Sequence, residues 1–168
     1  MLIGLTGKKQ SGKTTVADYL CSYHNFSRFG FADPLKDICG LLYPGLDFWE
    51  EKEKESKDNQ YGLSRREILQ AVGTDIFRDQ FNKDTWVNIM KYDIENNILE
   101  NMVIHDVRFD NEAEAIHDRG GIIINLIRHK KPKGEHSSED GISQHLIDHT
   151  ISNNGTLNQL LERIEAVC

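Results

Sequence analysis

The sequence contains no apolar run that approaches the roughly 20 residues needed to cross a bilayer, and it has no internal repeat, low-complexity tract or domain linker. Its first apolar strand begins at Leu2, which leaves no room for a signal peptide. With 168 residues and 38% hydrophobic content, the chain suits one soluble domain spanning residues 1–168. These absences argue against a membrane partner and predict a cytoplasmic location.

Positive charge is scarce, because 20 Lys and Arg residues stand against 27 Asp and Glu residues for a net charge of −7. General binding to nucleic acid favours basic surfaces, so we expect no nucleic-acid partner. The cysteines, Cys21, Cys39 and Cys168, form no C-x-x-C pair, and the histidines form neither H-x-x-x-H nor H-E-x-x-H. Reduced thiols and the absence of a zinc site are therefore expected.

The most informative motif is a complete G-x-x-x-x-G-K-[ST] sequence at residues 7–14. It lies between an apolar strand and a helical pattern, which is the context of a phosphate-binding loop. Gly7 and Gly12 allow backbone N–H groups to turn onto phosphate oxygens, and the following helix adds its positive end. We expect Lys13 to reach the outer phosphates of ATP and Thr14 to bind Mg²⁺. The predicted ATP-binding residues are Gly7, Lys8, Lys9, Gln10, Ser11, Gly12, Lys13, Thr14 and Thr15.

Strands alternate with helices along the whole chain, which predicts an α/β fold with a central parallel sheet flanked by helices. Strands are expected at 2–5, 27–31, 102–106, 122–127 and 149–152, and helices at 13–23, from 33, from 64, at 85–96, at 112–117 and after the turn at 154–155.

Several helix starts carry their own signals. Asp33 is the expected cap of the second helix with Pro34 at its first position, and Ser64 with Glu67 forms a capping-box pattern. Asp110 or Asn111 is the expected cap of helix 112–117. Residues 48–60 have no apolar stripe, which indicates either a solvated, mobile segment or a cover for the substrate.

Three charged residues follow the later strands. Asp106 ends an apolar strand, where an acid can hold Mg²⁺ or its water together with Thr14; the alternative is a surface acid. Arg108 has a guanidinium suited to a phosphate, or it pairs with Asp110 or Glu112. Arg128 follows the next strand directly and is expected to grip a phosphate or the transferring group, unless it is a solvated loop arginine.

Several blocks in this order resemble the deoxynucleoside monophosphate kinases of tailed phages. The sequence blocks that carry the resemblance are the phosphate loop, FADPLK at 31–36, REILQ at 66–70 with GTD at 73–75 and Arg78, DTWV at 84–87, DVRFDNE at 106–112, HSSE at 136–139 and NNGT at 153–156. The loop is generic to many NTPases, and the later blocks give the specificity. Many relatives carry Asp after the loop lysine, whereas this chain has Thr14-Thr15, so an Asp-specific arrangement does not carry over.

The resemblance implies a P-loop NTPase fold of the nucleoside monophosphate kinase type, with an acceptor-binding region at about 33–84 and a lid at about 128–141. It implies phosphoryl transfer from ATP, with Mg²⁺, to a (deoxy)nucleoside monophosphate, with the deoxy form favoured. The enzyme would be a monomer or homodimer, and it would act in the host cytoplasm if the chain is viral. Lys13, Arg108, Arg128 and Asp106 would be catalytic. The acceptor would contact Asp33, Lys36, Arg66, Gln70, Arg78 and Arg108.

Each acceptor-side residue has a structural alternative. Asp33 would only cap its helix, Lys36 would be solvated, Arg66 and Arg78 would pair with nearby acids, and Gln70 would lie on a helix surface. Trp86 is expected in the core rather than under a base. Residues 136–139 are either a lid motif or a polar loop.

Two other functions remain open at this point. A kinase of the phosphomevalonate type would keep the fold and change the acceptor to one without a base. A nucleotide-binding regulatory module would bind ATP and phosphorylate nothing. The arginines and lysines beyond the phosphate loop favour a second anion site, and therefore a kinase.

Overall fold

The computed structural model describes residues 1–50, 52, 54–96, 101–128 and 141–168. The predicted lid at 128–141 and the block at 136–139 lie almost wholly outside the described residues. The chain forms two compact units, one made of Met1–Gly30 with Ile94–Cys168 and the other of Phe31–Asp93. No helix in the described part of the chain is both long enough and apolar enough to cross a bilayer.

The first unit is built on a parallel sheet of five strands in the order β2-β3-β1-β4-β5. The strands are β1 (Leu2–Thr6), β2 (Ser27–Phe29), β3 (Met102–Ile104), β4 (Ile122–Ile127) and β5 (His149–Ser152). All four strand pairs are parallel, as the sequence predicts. The second and third strands are shorter than the expected 27–31 and 102–106, because β2 pairs only from Ser27 to Phe29 with Met102 to Ile104.

The helices of this unit are α1 (Lys13–Tyr23), α5 (Asp110–His117) and α6 (Leu157–Glu165), with a 3₁₀ turn at Gln144–Leu146. The fully buried core joins β1, β3 and β4 to the inner faces of α1 and α6, through Ile3, Leu5, Val16, Leu20, Val103, Ile124, Leu126, Leu160 and Ile164. Strands buried on both faces read as nearly continuous apolar runs, which is why β4 has the sequence IIINLI. The core fixes β1 at the middle of the sheet.

The second unit is helical. It contains α2 (Asp33–Leu42), α3 (Arg65–Gln70), a π-helix that continues α3 over Ala71–Phe81, and most of α4 (Thr85–Asn96). Ser64 caps α3 through the expected capping box with Glu67. The sequence pattern does not predict this π-helix, which includes Gly73. A Cβ at Gly73 would lie 2.3 Å from Cδ2 of Leu35, so α2 packs directly against this turn.

Two expected helix caps are wrong. Ala32, and not Asp33, is the N-cap of α2, and the Asp33 carboxylate pairs with Lys36 instead. Phe109, and not Asp110 or Asn111, is the N-cap of α5, which begins at Asp110. The carboxylate of Asp110 is occupied by the backbone N–H and the hydroxyl of Ser143, at 2.7 and 2.6 Å.

The segment at residues 48–60, which follows α2, is not wholly exposed to solvent. Phe48 is 2% exposed, and the side chain of Arg65 donates to the carbonyls of Asp47 and Lys52. Among the described residues of 48–60, most others are exposed, as the missing apolar stripe predicts.

Candidate active site

The phosphate loop connects β1 to α1 and has the backbone geometry that its glycines allow. Gly7 and Gly12 have φ values of 131° and 109°, and Gln10 has a φ of 63°. A Cβ on Gly7 would lie 2.3 Å from the backbone oxygen of Leu126, so only glycine fits there. The loop closes on itself through a hydrogen bond of 3.1 Å from the Ser11 N–H to the Lys8 carbonyl. This arrangement confirms the predicted strand–loop–helix context.

Lys13 opens α1, and its side chain turns back over the loop. Its Nζ donates to the carbonyl of Gly7 at 2.5 Å and to that of Lys8 at 3.0 Å. The hydroxyl-bearing residues Thr14 and Thr15 are exposed on the first turn, whereas Ser11 is 2% exposed. The loop therefore combines an ammonium, a helix N-terminus and accessible hydroxyls, which together suit a polyphosphate.

The strand order brings the other charged candidates of this unit to the same edge of the sheet. β1 lies between β3 and β4, and parallel strands end on the same side, so the segments after all three meet there. Asp106 stands two residues beyond β3, and the Val107 N–H donates to the Leu5 carbonyl at 3.2 Å. Arg128 directly follows β4 and is exposed. The phosphate loop, Asp106 and Arg128 thus share one edge.

Glu112 is a buried acid at this edge for which no functional role is predicted from the sequence. It is 4% exposed, and its Oε2 accepts the backbone N–H groups of Arg108 at 2.7 Å and Phe109 at 3.1 Å. Burial raises the pKa of the Glu112 carboxyl to about 8, the charge of Asp106 acts in the same direction, and the two N–H groups oppose the shift. Arg108 is therefore held through its backbone, while its side chain is exposed.

The sequence held a signal for Glu112. A glutamate at the third position of a helix commonly reaches back to the N-cap N–H, here that of Phe109. The expected cap at Asp110 or Asn111 obscured it, because that cap placed the helix start at the wrong residue. The expected ion pair between Arg108 and Glu112 is replaced by the hydrogen bond to the Arg108 backbone.

The acceptor-side candidates all lie in the second unit, except Arg108. Lys36 forms an ion pair with Asp33 at 2.8 Å, its side chain is 11% exposed, and its Nζ lies 4.3 Å from the centre of the Trp49 ring. The solvated alternative for Lys36 is therefore wrong. Lys36, Asp37, Leu41, Phe48 and Trp49 also line an open cavity of about 380 Å³.

The two arginines of this unit have different surroundings. Arg66 pairs with Glu55 at 3.0 Å, as its structural alternative predicts, and Arg78 donates to the Lys83 carbonyl at 3.0 Å. Gln70 is the last residue of α3 and is partly exposed. The indole of Trp86 is 7% exposed, donates to the Gly73 carbonyl at 2.9 Å and packs on Phe77, which confirms the expected core position.

Comparisons with known proteins identify the family. A model of the family described as deoxynucleotide monophosphate kinase matches residues 41–164. A putative deoxynucleotide monophosphate kinase of Acanthamoeba polyphaga mimivirus is 37% identical over 76% of this chain and 74% of its own. The deoxynucleotide monophosphate kinase of Enterobacteria phage T4 is 23% identical over 98% and 97%.

The fold comparison agrees with this architecture. The crystal structure of TT1252 from Thermus thermophilus has a TM-score of 0.51 at 14% identity, over 99% of this chain and 95% of its own, which shows a shared fold. The phosphate loop, the parallel sheet and the family match over residues 41–164 lead to one assignment. The chain belongs to the deoxynucleotide monophosphate kinase family.

Proposed function

We propose that the protein transfers the γ-phosphoryl group of ATP to a deoxynucleoside monophosphate, giving ADP and the deoxynucleoside diphosphate. The observation that carries this proposal is the meeting of the phosphate loop, Asp106 and Arg128 at one sheet edge in a member of this kinase family. ATP would bind on the loop from Gly7 to Thr15, with Lys8, Lys9, Gln10, Ser11 and Gly12 forming the turn around its phosphates.

Mg²⁺ fits the oxygen donors available at this edge. Thr14 is exposed on the first turn of α1, and Asp106 is fixed beside the end of β1 through the bond from Val107 to Leu5. When bound, the ion would neutralise charge on the ATP phosphates. Thr14 and Asp106 would hold it, and the neighbouring Thr15 would remain in the loop's first helical turn.

The chain's own residues would supply positioning and charge. The acceptor phosphate is already a nucleophile and needs no strong base, so catalysis rests on in-line placement and on Lys13, Arg108 and Arg128 facing the charge of the transferring group. We propose acceptor contacts at Asp33, Lys36, Arg66, Gln70, Arg78 and Arg108.

A coupled assay of ADP formation tests the proposal. The purified chain is given MgATP with each of the four deoxynucleoside monophosphates, the four ribonucleoside monophosphates, phosphomevalonate, or no acceptor. We expect ADP formation that depends on a deoxynucleoside monophosphate. Turnover with phosphomevalonate alone would support the other kinase type, and ATP binding without any acceptor-dependent turnover would support a regulatory module.

The setting of this activity is also proposed. We infer an enzyme of the cytoplasm, or of the host cytoplasm in a viral infection, acting as a monomer or homodimer on small nucleotides and without a nucleic-acid or membrane partner. Size-exclusion chromatography with light scattering would measure the oligomeric state directly.

A further inference from the structure

Asn153 connects three parts of the first unit that are far apart in sequence. It directly follows β5, and its backbone N–H donates to the Ile127 carbonyl at the end of β4 at 2.7 Å. Its side-chain Nδ2 donates to the Ser11 carbonyl at 2.9 Å. A carbonyl oxygen can only accept, so the amide must present its NH₂ group to Ser11. One residue therefore links the phosphate loop to the strand end that precedes Arg128.

The bond to Ser11 fixes the orientation of a peptide group in the loop. In a trans peptide the C=O of one residue and the N–H of the next point in opposite directions. Because the Ser11 carbonyl points to Asn153, the N–H of Gly12 points away from Asn153. The Ser11 N–H is occupied by the Lys8 carbonyl at 3.1 Å, so Gly12 rather than Ser11 is the donor that this contact orients.

The packing around this contact leaves little freedom. A Cβ on Gly12 would lie 2.5 Å from Nδ2 of Asn153 and 3.7 Å from Cδ2 of the fully buried Leu160. Gly12 also has a φ of 109°, a value that other residues rarely adopt. Leu160 belongs to α6, whose N-terminus is capped by Thr156 only three residues after Asn153. Asn153 is thus anchored to the sheet through its backbone, and its side-chain amide lies directly against Gly12.

We propose that Asn153 is a positioning residue for ATP: its amide holds the Ser11–Gly12 peptide in the orientation that aims the Gly12 N–H at the phosphates. The inference rests on the proposed function only in assigning ATP to the loop. Asn153 itself would not touch the nucleotide. Its loss would weaken ATP binding and leave acceptor binding unchanged.

The test compares two substitutions with a neighbour. Asn153→Asp keeps the shape but places a carboxylate against the Ser11 carbonyl, and Asn153→Ala removes the donor. Asn154 is exposed, and its Nδ2 donates to the Ser152 hydroxyl at 2.8 Å, so Asn154→Asp and Asn154→Ala are matched controls with the same change of charge and size. MgATP affinity is measured by titration calorimetry without acceptor, and KM for the deoxynucleoside monophosphate is measured separately at saturating ATP.

We expect Asn153→Asp to weaken MgATP binding by about tenfold or more and Asn153→Ala by a smaller factor. In Asn153→Ala the Ser11 carbonyl only loses its donor, whereas in Asn153→Asp the same carbonyl oxygen also faces a negatively charged carboxylate. KM for the acceptor should stay within about twofold, as should both constants in the Asn154 variants. MgATP affinity near that of the wild type in folded Asn153 variants would overturn the proposal. Equal losses for both substrates, or unfolding of both Asn153 variants while the Asn154 variants fold, would show a purely structural residue and would also overturn it.

The two proposals can fail separately. A wild-type chain that binds MgATP but phosphorylates no deoxynucleoside monophosphate would reject the proposed acceptor, and the calorimetric comparison at Asn153 would still decide the positioning role. Conversely, normal kinase activity with unaltered MgATP affinity in Asn153→Asp would reject only the positioning role.

Discussion

The carboxyl group of Glu112, a residue that is 4% exposed, accepts the backbone N–H of Arg108 at 2.7 Å. A buried acid is costly unless it is hydrogen-bonded or neutral, and here it is bonded to two consecutive N–H groups. The turn that carries Asp106 and Arg108 is therefore held in place by the Glu112 side chain of α5. Small changes at Glu112 should affect both the stability of the unit and the aim of Arg108.

The first prediction is a pH dependence of stability set by Glu112. Burial raises the pKa of its carboxyl from 4.5 to about 8. Between these values the folded chain keeps a proton that the unfolded chain has released, so the free energy of unfolding falls as pH rises, with a limiting slope of about 1.4 kcal/mol per pH unit. Urea unfolding of the ligand-free protein from pH 5 to pH 8 should show this decline, and Glu112→Gln should flatten it. Glu114→Gln, at an exposed position of the same helix, is the control; an unchanged slope in Glu112→Gln contradicts the prediction.

The second prediction concerns Lys13. Lys13→Ala should lower phosphoryl transfer on the order of 10²-fold or more, because it removes a preorganised positive charge from the transferring group. The fold should survive, since the Lys13 Nζ donates to the carbonyls of Gly7 and Lys8 in its own loop. Turnover and thermal unfolding are measured together, with Lys52→Ala as an exposed control. Wild-type turnover in folded Lys13→Ala would remove Lys13 from the catalytic site.

The third prediction separates a metal role from a surface role for Asp106. Asp106→Asn should weaken binding of MgATP more than binding of ATP in the presence of EDTA, because only the former uses the carboxylate. Titration calorimetry under the two conditions gives the ratio of the affinity for MgATP to the affinity for metal-free ATP. Asp118→Asn, at an exposed position after α5, should leave the ratio unchanged. Equal and small losses in both conditions for Asp106→Asn would make it a surface acid.

The fourth prediction tests the acceptor role of Arg66 against its ion pair with Glu55. Arg66→Ala should raise KM for the deoxynucleoside monophosphate by about tenfold or more, as expected for losing a charged hydrogen bond, and leave KM for ATP unchanged. Glu55→Gln removes the same ion pair of 3.0 Å while keeping the guanidinium. Steady-state kinetics of both variants give the KM values for the deoxynucleoside monophosphate and for ATP, which distinguish an acceptor contact from a role in the ion pair. If Glu55→Gln reproduces the loss, Arg66 acts only through that ion pair.

Local sequence signals predicted those parts of the fold that depend on nearby residues. α1, α4, β4 and β5 have the predicted bounds, because apolar spacing and turn residues are local. The capping box of Ser64 and Glu67 is equally local. The predictions that Asp33 and Asp110 cap their helices were wrong, because their carboxylates bind Lys36 and Ser143 instead.

The candidate site could be predicted only in part. The sequence predicts the loop motif together with Asp106, Arg108 and Arg128, because each of them follows an apolar strand. The contact from Asn153 to Ser11 spans 142 residues and depends on β5 lying beside β4, so no local pattern reveals it. Glu112 was hidden for a related reason, because its role requires knowing that α5 begins after Phe109.

The central place of β1 has a consequence for how the molecule is made. Leu2 pairs with Met102 and Ile3 with Ile122, so β1 finds its neighbours in the sheet only after the much later strands β3 and β4 have been synthesised. Pairing over such separations is slow and leaves apolar strands uncovered for longer. The phosphate loop is therefore translated before the strands that flank β1 and assembled only after them, and a nascent chain that stops before β3 should bind no ATP.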